Sequence, residues 1–390
     1  MNLQLTPGRL RGRVTPPASK SQAHRALIAA MLSPGVCELH NLTRSEDIDA
    51  TRRCMGVLRS SSDRQAVLDC GESGSTLRFL MPVALALRGG GVFTGRGRLM
   101  ERPQGPYFAI FDEKGIFYRL EKNVLTLRGL LPPGEYRLPG NVSSQFVTGL
   151  LFALPLLGED SEIVLTSPLE SRGYVDMTVD VLGRFGIRVE NRGYERFIVP
   201  KGQNYRAAEL TIEGDWSQGA FWYAAKVLGS EVEVLGLHLA SLQGDRVMAE
   251  HCQRLAGPGD LNIDVSDCPD LVPPLAVTAA VRRGTTRLTN AARLRMKESD
   301  RLLTVRQTLS ALGASVEEGA DSLTIRGLPR LAGGVTVDCC GDHRIAMMAA
   351  VAAAVCERPI ILTGAECVAK SYPGFWEDYR ALGGIAAEIE

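Results

Sequence analysis

Ser21–Leu32 reads SQAHRALIAAML, an Ala/Leu-rich run with its polar residues at the front, and the chain returns to this design five more times. Similar helical segments begin near Gly74, Ser143, Ser217, Asp270 and Gly341. Each is followed by a break and then a β-branched run: VCELHNL (36–42), VFTGRG (92–97), SEIVLTSPL (161–169), EVEVLGLHL (231–239), TTRLTNAARL (285–294) and PIILTGAEC (359–367). Gly35, Gly91, Gly158, Gly229 and Gly284 introduce most of the runs in C-cap or turn roles. Amphipathic stretches such as EDIDATRRCMGVL (46–58), YVDMTVDVLGRFG (174–186), DRVMAEHCQRL (245–255) and ESDRLLTVRQTLSALG (298–313) follow, with apolar residues three and four apart. Each unit therefore reads helix, strand, helix, strand. This is an α/β (α+β) pattern with a period of roughly 50–75 residues.

The six starts are themselves ordered. Positions 21 and 217 differ by 196, as do 74 and 270, and 143 and 341 differ by 198. Chance recurrence of Ala-rich helices accounts for the helices but not for three matching offsets, so the chain is an internal duplication with three units in each half. Two similar domains with a cleft between them are expected. The first spans 17–213, beginning after the rigid pair Pro16-Pro17 and ending near Glu213-Gly214. The second combines 1–16 with 214–390, because the strand-like residues before Pro16 are left over and join the C-terminal half. Both crossings would then lie side by side, where they could act as a hinge.

Bulk composition narrows the function. The 390 residues are 45% hydrophobic and 23% charged, ordinary globular values. Lys plus Arg and Asp plus Glu both number 44. This balance, with no aromatic stacking pattern, argues against nucleic-acid binding. Nine cysteines without a CxxC pair and five scattered histidines form no metal-ligand cluster, and they fit idle thiols in a reducing compartment. The N-terminus has no apolar core for a signal peptide, and the run Ile345–Cys356 is too short to span a bilayer. A cytoplasmic protein with no membrane partner is expected.

Polar residues gather where the helices begin. Lys20, Ser21 and Arg25 open the first; Ser73, Gly74, Ser75 and Arg78 the second; Ser143, Ser144 and Gln145 the third; Asp342, His343 and Arg344 the sixth. Helix N-termini offer free N–H groups and a positive dipole end, so several together would cradle anions. Ser21, Ser75 and Ser143 could equally be N-caps, the commonest reason for Ser before a helix. The Gly-rich element lacks the GK[ST] of a phosphate loop, and Gly95-Arg96-Gly97 lacks the third glycine of a dinucleotide fingerprint. RLRMKESDR (293–301), Lys370 and Glu101-Arg102-Pro103 add charged loops beside helix starts, where ligand contacts concentrate.

Read together, PPASKSQAHRALIAA (16–30), ESGSTLRF (72–79), GRGRLMERP (95–103), GNVSSQFVTGLL (140–151), SRGYVDMT (171–178), IEGDWSQGAFWYAA (212–225), RLRMKESDRL (293–302), GDHRIAMMAA (341–350) and CVAKSYPGFW (367–376) resemble the enolpyruvyl transferase family. The likeness is to its shikimate branch, follows the family order and covers nearly the whole chain. It implies two domains of three repeated α/β units, with parallel helices whose N-termini face the interdomain cleft. It also implies transfer of the enolpyruvyl group of phosphoenolpyruvate to the 5-hydroxyl of shikimate 3-phosphate through a tetrahedral intermediate, in the route to chorismate and aromatic amino acids. No metal or organic cofactor is implied. The expected partners are the two small-molecule substrates, and the expected state is a monomer.

Carried residue by residue, the resemblance puts Lys20 on both substrates and Ser21, Arg25, Ser143, Ser144, Gln145, Ser171, Asp270 and Lys297 on shikimate 3-phosphate. Gly74, Arg102, Gln145, Arg301, Arg344 and Lys370 match positions that bind phosphoenolpyruvate. Asp270 is the expected base, and Glu298, Lys20 or Lys370 the group that handles the methylene proton. Two phosphates and two carboxylates in one cleft call for many cations, with Arg suited to planar forks and Lys to a point charge or proton carrier.

Some positions depart from the pattern. Glu72 stands where many members have Asn, and it should weaken anion binding unless it pairs with Arg or points away. Arg293 stands where some have Asn. The stretches Leu58–Gly71 and Gly257–Asp270 are short, as though each domain had lost a strand or hairpin. Gly74 is retained, so inhibition by glyphosate, a phosphoenolpyruvate mimic, is expected. Two alternatives fit the same architecture: the sister enzyme acting on a UDP-amino sugar, which carries a Cys near the position of Arg102 where this chain has none, and a non-catalytic anion-binding protein that kept the fold.

Overall fold

The structure is a computed structural model that describes residues 1–60 and 66–389. It divides into two compact units, Lys20–Ile212 and Met1–Ser19 with Glu213–Glu390.

In chain order, β1 (Asn2–Thr6) and β2 (Arg11–Val14) come first and belong to the C-terminal unit. The N-terminal unit begins with α1 (Lys20–Leu32), β3 (Glu38–His40), α2 (Glu46–Ser60) and β4 (Val67–Asp69). It continues with α3 (Gly74–Arg88), β5 (Gly90–Thr94), α4 (Gly105–Lys114), β6 (Phe117–Glu121) and β7 (Val124–Arg128). Its last repeat is β8 (Gly134–Leu138), α5 (Ser144–Ala153), β9 (Ser161–Leu165), α6 (Arg172–Arg184), β10 (Glu190–Arg192) and β11 (Arg196–Val199), closed by β12 (Glu209–Thr211).

The C-terminal unit resumes with α7 (Trp216–Val227), β13 (Glu231–Val234), α8 (Met248–Ala256) and β14 (Leu261–Asp264). Next come α9 (Val272–Ala279), β15 (Thr285–Thr289), α10 (Arg301–Ala311), β16 (Ser315–Glu318) and β17 (Leu323–Arg326). The last repeat holds β18 (Leu331–Gly333), β19 (Thr336–Asp338), α11 (His343–Ala353), β20 (Cys356–Arg358), β21 (Ile360–Thr363), α12 (Phe375–Ala381) and β22 (Ile385–Ile389).

Two four-stranded sheets and one two-stranded pair recur from unit to unit, while the pair β18-β20 has no counterpart among the described residues. The order β4-β5-β7-β6 recurs as β14-β15-β17-β16, with one parallel pair followed by two antiparallel ones. The order β8-β9-β11-β10 recurs as β19-β21-β1-β22 with the same polarities. The N-terminal strand β1 thus occupies the place that β11 holds in the other unit, between β21 and β22. Likewise β2 pairs parallel with β13, as β12 pairs with β3. Pro17–Ser19 runs antiparallel to Glu213–Asp215, bonded through Ser19 N to Glu213 O and Asp215 N to Pro17 O. The shortened stretches still carry the single strands β4 and β14; residues 61–65 of the first lie outside the described residues.

Helices that are apolar all round form the centre of each unit, as packing requires. α3 and α5 are almost entirely buried, and so are α9 and α11. The sheets alternate buried and exposed residues, as in β7, so one face meets water. α3 and α5 approach closely because position 149 is Gly: a Cβ there would lie 2.2 Å from Tyr107 Oη and 2.4 Å from the Arg78 carbonyl. No described helix is long and apolar enough to cross a membrane.

Three helix starts differ from the sequence expectation. α1 already includes Lys20 and Ser21, so Ser21 is a first-turn residue and not its cap. Ser73, not Ser75, caps α3 by accepting from Thr76 N. Asp270 lies in a short 3-10 turn, Pro269–Leu271, and α9 starts at Val272, where the tandem prolines 273 and 274 sit in the first turn without costing a helical N–H. Ser143 does cap α5, accepting from Gln145 N.

Candidate functional site: two clusters of helix N-termini

In the N-terminal unit the starts of α1, α2, α3, α5 and α6 are tied side chain to side chain. Lys20 Nζ donates to Asp47 Oδ2 at 2.7 Å, joining α1 to the first turn of α2. His24 Nδ1, Thr51 Oγ1, Thr76 Oγ1 and Ser73 Oγ follow one another at 2.7, 2.7 and 2.8 Å. Burial, then the neighbouring Lys20 and Arg25, keep His24 well below the usual imidazole range, so the ring is a neutral structural link. Gln145 bridges α5 to α3, donating to Ser75 Oγ at 3.1 Å and accepting from Arg78 Nη1 at 2.8 Å. Ser171, at the start of α6, is buried with φ 57°, and α6 also presents Tyr174 to Arg25.

Two arginines in this cluster are buried among neutral groups. Arg25 is 2% exposed and donates to Thr178 Oγ1 at 2.8 Å, Ser21 O at 2.6 Å and Tyr174 O at 2.9 Å, with its guanidinium over the Phe79 ring. Burial pulls its pKa down to about 9. Arg102 is 8% exposed, and its guanidinium lies so close over the α3 N-terminus that a Cβ on Gly74 would come within 2.6 Å of Nη1. Among the described residues neither arginine forms an ion pair with a carboxylate, and Arg102 Nε has no acceptor. A buried cation left this way is costly unless an anion completes it. The arrangement, Arg102 at the α3 N-terminus and Arg25 against the first turns of α1 and α6, can bind anions.

Glu72 points at the 95–98 loop. A Cβ on Gly97, whose φ is +55°, would lie 2.9 Å from the Glu72 carboxyl carbon.

The C-terminal unit has the opposite character. Arg301, 1% exposed, is held by three carboxylates: Nη1 to Asp270 Oδ1 at 2.8 Å, Nη2 to Glu298 Oε2 at 2.7 Å and Nε to Asp342 Oδ2 at 2.9 Å. Their combined pull outweighs burial and raises its pKa. Burial alone would raise the pKa of Asp270, but Arg344, Lys297 and Arg301 hold it well below the usual carboxylate range. Lys297 Nζ and Arg344 Nη2 each stand 3.3 Å from an Asp270 oxygen. Asp342, fully buried, caps α11 through Arg344 N and accepts from Ser299. Lys370 Nζ donates to Gly341 O at 2.7 Å, so it too reaches the α11 start.

The structure therefore gathers Lys20, Ser21, Arg25, Gly74, Arg102, Ser143, Ser144, Gln145 and Ser171 in one unit. It gathers Asp270, Lys297, Glu298, Arg301, Arg344 and Lys370 in the other. Sequence reading passed over Asp47, Gln104 and Asp245, and treated Arg78 and Asp342 only as residues near a helix start. Asp47 anchors Lys20, and Gln104 accepts from Arg78 Nε at 3.4 Å. Asp47 sits in the acidic first turn of α2 and Gln104 just before α4, where no periodicity marks them; only the packing reveals their partners.

A family model described as EPSP synthase (3-phosphoshikimate 1-carboxyvinyltransferase) matches residues 5–379. A 3-phosphoshikimate 1-carboxyvinyltransferase of Clostridium kluyveri is 46% identical, with 98% of this chain and 97% of the relative covered. That of Clostridium novyi is 43% identical over 99% and 98%, and that of Clostridioides difficile 42% over 98% of each. A solved EPSP synthase from Acinetobacter baumannii shares the fold with a TM-score of 0.78 at 22% identity, covering 99% of this chain and all of that one.

Proposed function

The chain belongs to the EPSP synthase family, and from that premise we propose that it transfers the enolpyruvyl group of phosphoenolpyruvate to the 5-hydroxyl of shikimate 3-phosphate, with release of phosphate. The observation that carries this reading is the pair Arg25 and Arg102, buried beside helix N-termini among neutral groups. Two anionic substrates supply the charge those arginines lack. The two compact units act as the two enolpyruvyl-transferase-like domains.

In the proposed division of labour, Arg25, Ser21, Ser143, Ser144 and Ser171 hold shikimate 3-phosphate, while Arg102, Gln145 and the Gly74 turn hold phosphoenolpyruvate. Lys20 serves both. The 5-hydroxyl oxygen bonds to C2 of phosphoenolpyruvate as its proton passes to Asp270 and a proton reaches C3. Phosphate then leaves C2 and C3 gives up a proton, restoring the double bond. Asp270 is ionised, as a base must be, but its three cations make it a weak one. Engagement of Arg344 or Lys297 by substrate anions removes part of that pull and raises its basicity. Glu298, Lys20 or Lys370 delivers the C3 proton.

A phosphate-release assay tests the proposal. Phosphate should appear with phosphoenolpyruvate and shikimate 3-phosphate, and not with a UDP-amino sugar as acceptor. Tight binding of shikimate 3-phosphate without turnover would favour a non-catalytic anion-binding protein. Glyphosate should compete with phosphoenolpyruvate, and an inhibition constant far above the phosphoenolpyruvate KM would exclude that expectation. A monomer in the cytoplasm completes the proposal.

A further inference from the structure

Glu72 puts a carboxylate two residues ahead of Gly74, where the Arg102 guanidinium lies over the α3 N-terminus. Facing that helix end, it would repel an anion held there. The structure turns it away. Gly71 and Gly97 both adopt left-handed backbone, with φ 58° and 55°, and each turn receives a side chain of the other. A Cβ on Gly97 would meet the Glu72 carboxyl carbon and Oε2 at 2.9 Å, and one on Gly71 would meet Arg96 Nη2 at 3.6 Å. Glu72 therefore rests on Gly97 while Arg96 rests on Gly71. The backbones are tied at the same place, Arg96 N donating to Gly71 O at 2.7 Å and Cys70 N to Thr94 O at 2.9 Å.

This clasp holds the segment that carries Arg102. Beyond Gly97 the chain makes a short 3-10 turn, Leu99–Glu101, closed by Leu99 N to Arg96 O and Arg102 N to Arg98 O, both at 3.2 Å. Leu99 and Met100 are buried and pack back on Gly95, where a Cβ would meet them at 2.9 and 3.2 Å. Residues 96–98 are exposed, so contact with the facing turn weighs heavily in fixing them. We propose that Glu72 is a positioning residue for phosphoenolpyruvate: by reaching across to Gly97 it fixes the 95–101 loop, and with it the Arg102 guanidinium over Gly74. Its length matters for this and its charge does not. The proposal rests on the enolpyruvyl-transfer reading for the ligand that Arg102 receives, but not for the clasp itself.

Two substitutions separate reach from charge. Glu72→Asp keeps the charge and draws it back by one methylene, while Glu72→Gln keeps the reach and loses the charge. In the phosphate-release assay the phosphoenolpyruvate KM should rise about tenfold in Glu72→Asp, with kcat within about twofold of wild type, and stay within about threefold in Glu72→Gln. A KM unchanged in Glu72→Asp, or raised as far in Glu72→Gln, overturns the proposal. Gly97→Ala drives a methyl against the same carboxyl and serves if Glu72→Asp does not fold: it should raise the phosphoenolpyruvate KM alike, and no rise overturns the proposal. Amide hydrogen exchange of residues 99–102 without substrate reads the clasp independently of turnover. It should be about tenfold faster in Glu72→Asp than in wild type or Glu72→Gln, and equal rates in all three overturn the inference. Exchange that follows this pattern in a protein releasing no phosphate would instead sink the assigned reaction and leave the clasp standing.

Discussion

At the scale of single residues, Arg301 and Arg102 carry the same charge into opposite settings. Arg301 is saturated by three carboxylates, so it organises Asp270, Glu298 and Asp342. Arg102 is held over Gly74 with no carboxylate among the described residues, so it has charge left for a ligand. Gly74→Ala places a methyl 2.6 Å from Arg102 Nη1 and must turn that side chain away. The phosphoenolpyruvate KM should rise about tenfold or more while the melting temperature hardly moves, because a flexible side chain yields. Asp270→Asn should lower kcat about 100-fold or more in folded protein, and activity within a few-fold of wild type would remove Asp270 from the chemical step. The same carboxyl is depressed on folding, so its stabilisation is present above its unfolded value near about 3.9 and is lost as pH falls through the lower folded value. The melting-temperature gap between wild type and Asp270→Asn should therefore be open at pH 7 and close in strong acid.

At the scale of elements, the α3–α5 contact sets where the anion cradle forms. Gln145 and Arg78 meet only because Gly149 lets the two helices touch. Gly149→Ala drives a methyl into Tyr107 Oη and the Arg78 backbone, and backbone cannot swing aside. A destabilisation of about 1–3 kcal/mol is expected from overpacking, read by urea unfolding, with a loss of phosphoenolpyruvate affinity alongside it. Unchanged stability would mean that α5 can shift and that the Gln145 bridge does not fix its position.

For the molecule as a whole, β1 is the interior strand of a sheet made otherwise from the far end of the chain. Asn2 pairs with Thr363 on one side and with Ile389 on the other. Deleting residues 1–6 removes the buried Leu3 and Leu5 and leaves the facing edges of β21 and β22 unpaired, so the truncated protein should be insoluble or unfolded in its C-terminal unit. Joining residue 390 to residue 1 by a short Gly-containing turn would make β22 and β1 a hairpin like β10–β11. A chain so joined, and opened instead at the exposed Lys201-Gly202 turn, should fold and keep its activity; failure to fold would show that the break between β22 and β1 is required.

Sequence by itself determined the duplication, since equal offsets between six helix starts survive any error in a single boundary. It also pointed to anions at those starts, because Ser, Lys and Arg beside a helix N-terminus have a local physical meaning. The motifs carried the family as well, because they are specific and run in order. Tertiary structure decided the rest. Whether Ser73 or Ser75 caps α3 depends on backbone torsions that the ESGST string leaves open. Asp47 and the fully buried Asp342 hold Lys20 and Arg301 from 27 and 41 residues away in sequence, pairings that only the fold makes. Charge state follows from burial and neighbours, not from residue type: two arginines of one kind differ in what they can bind because one folds among acids and the other among neutral groups.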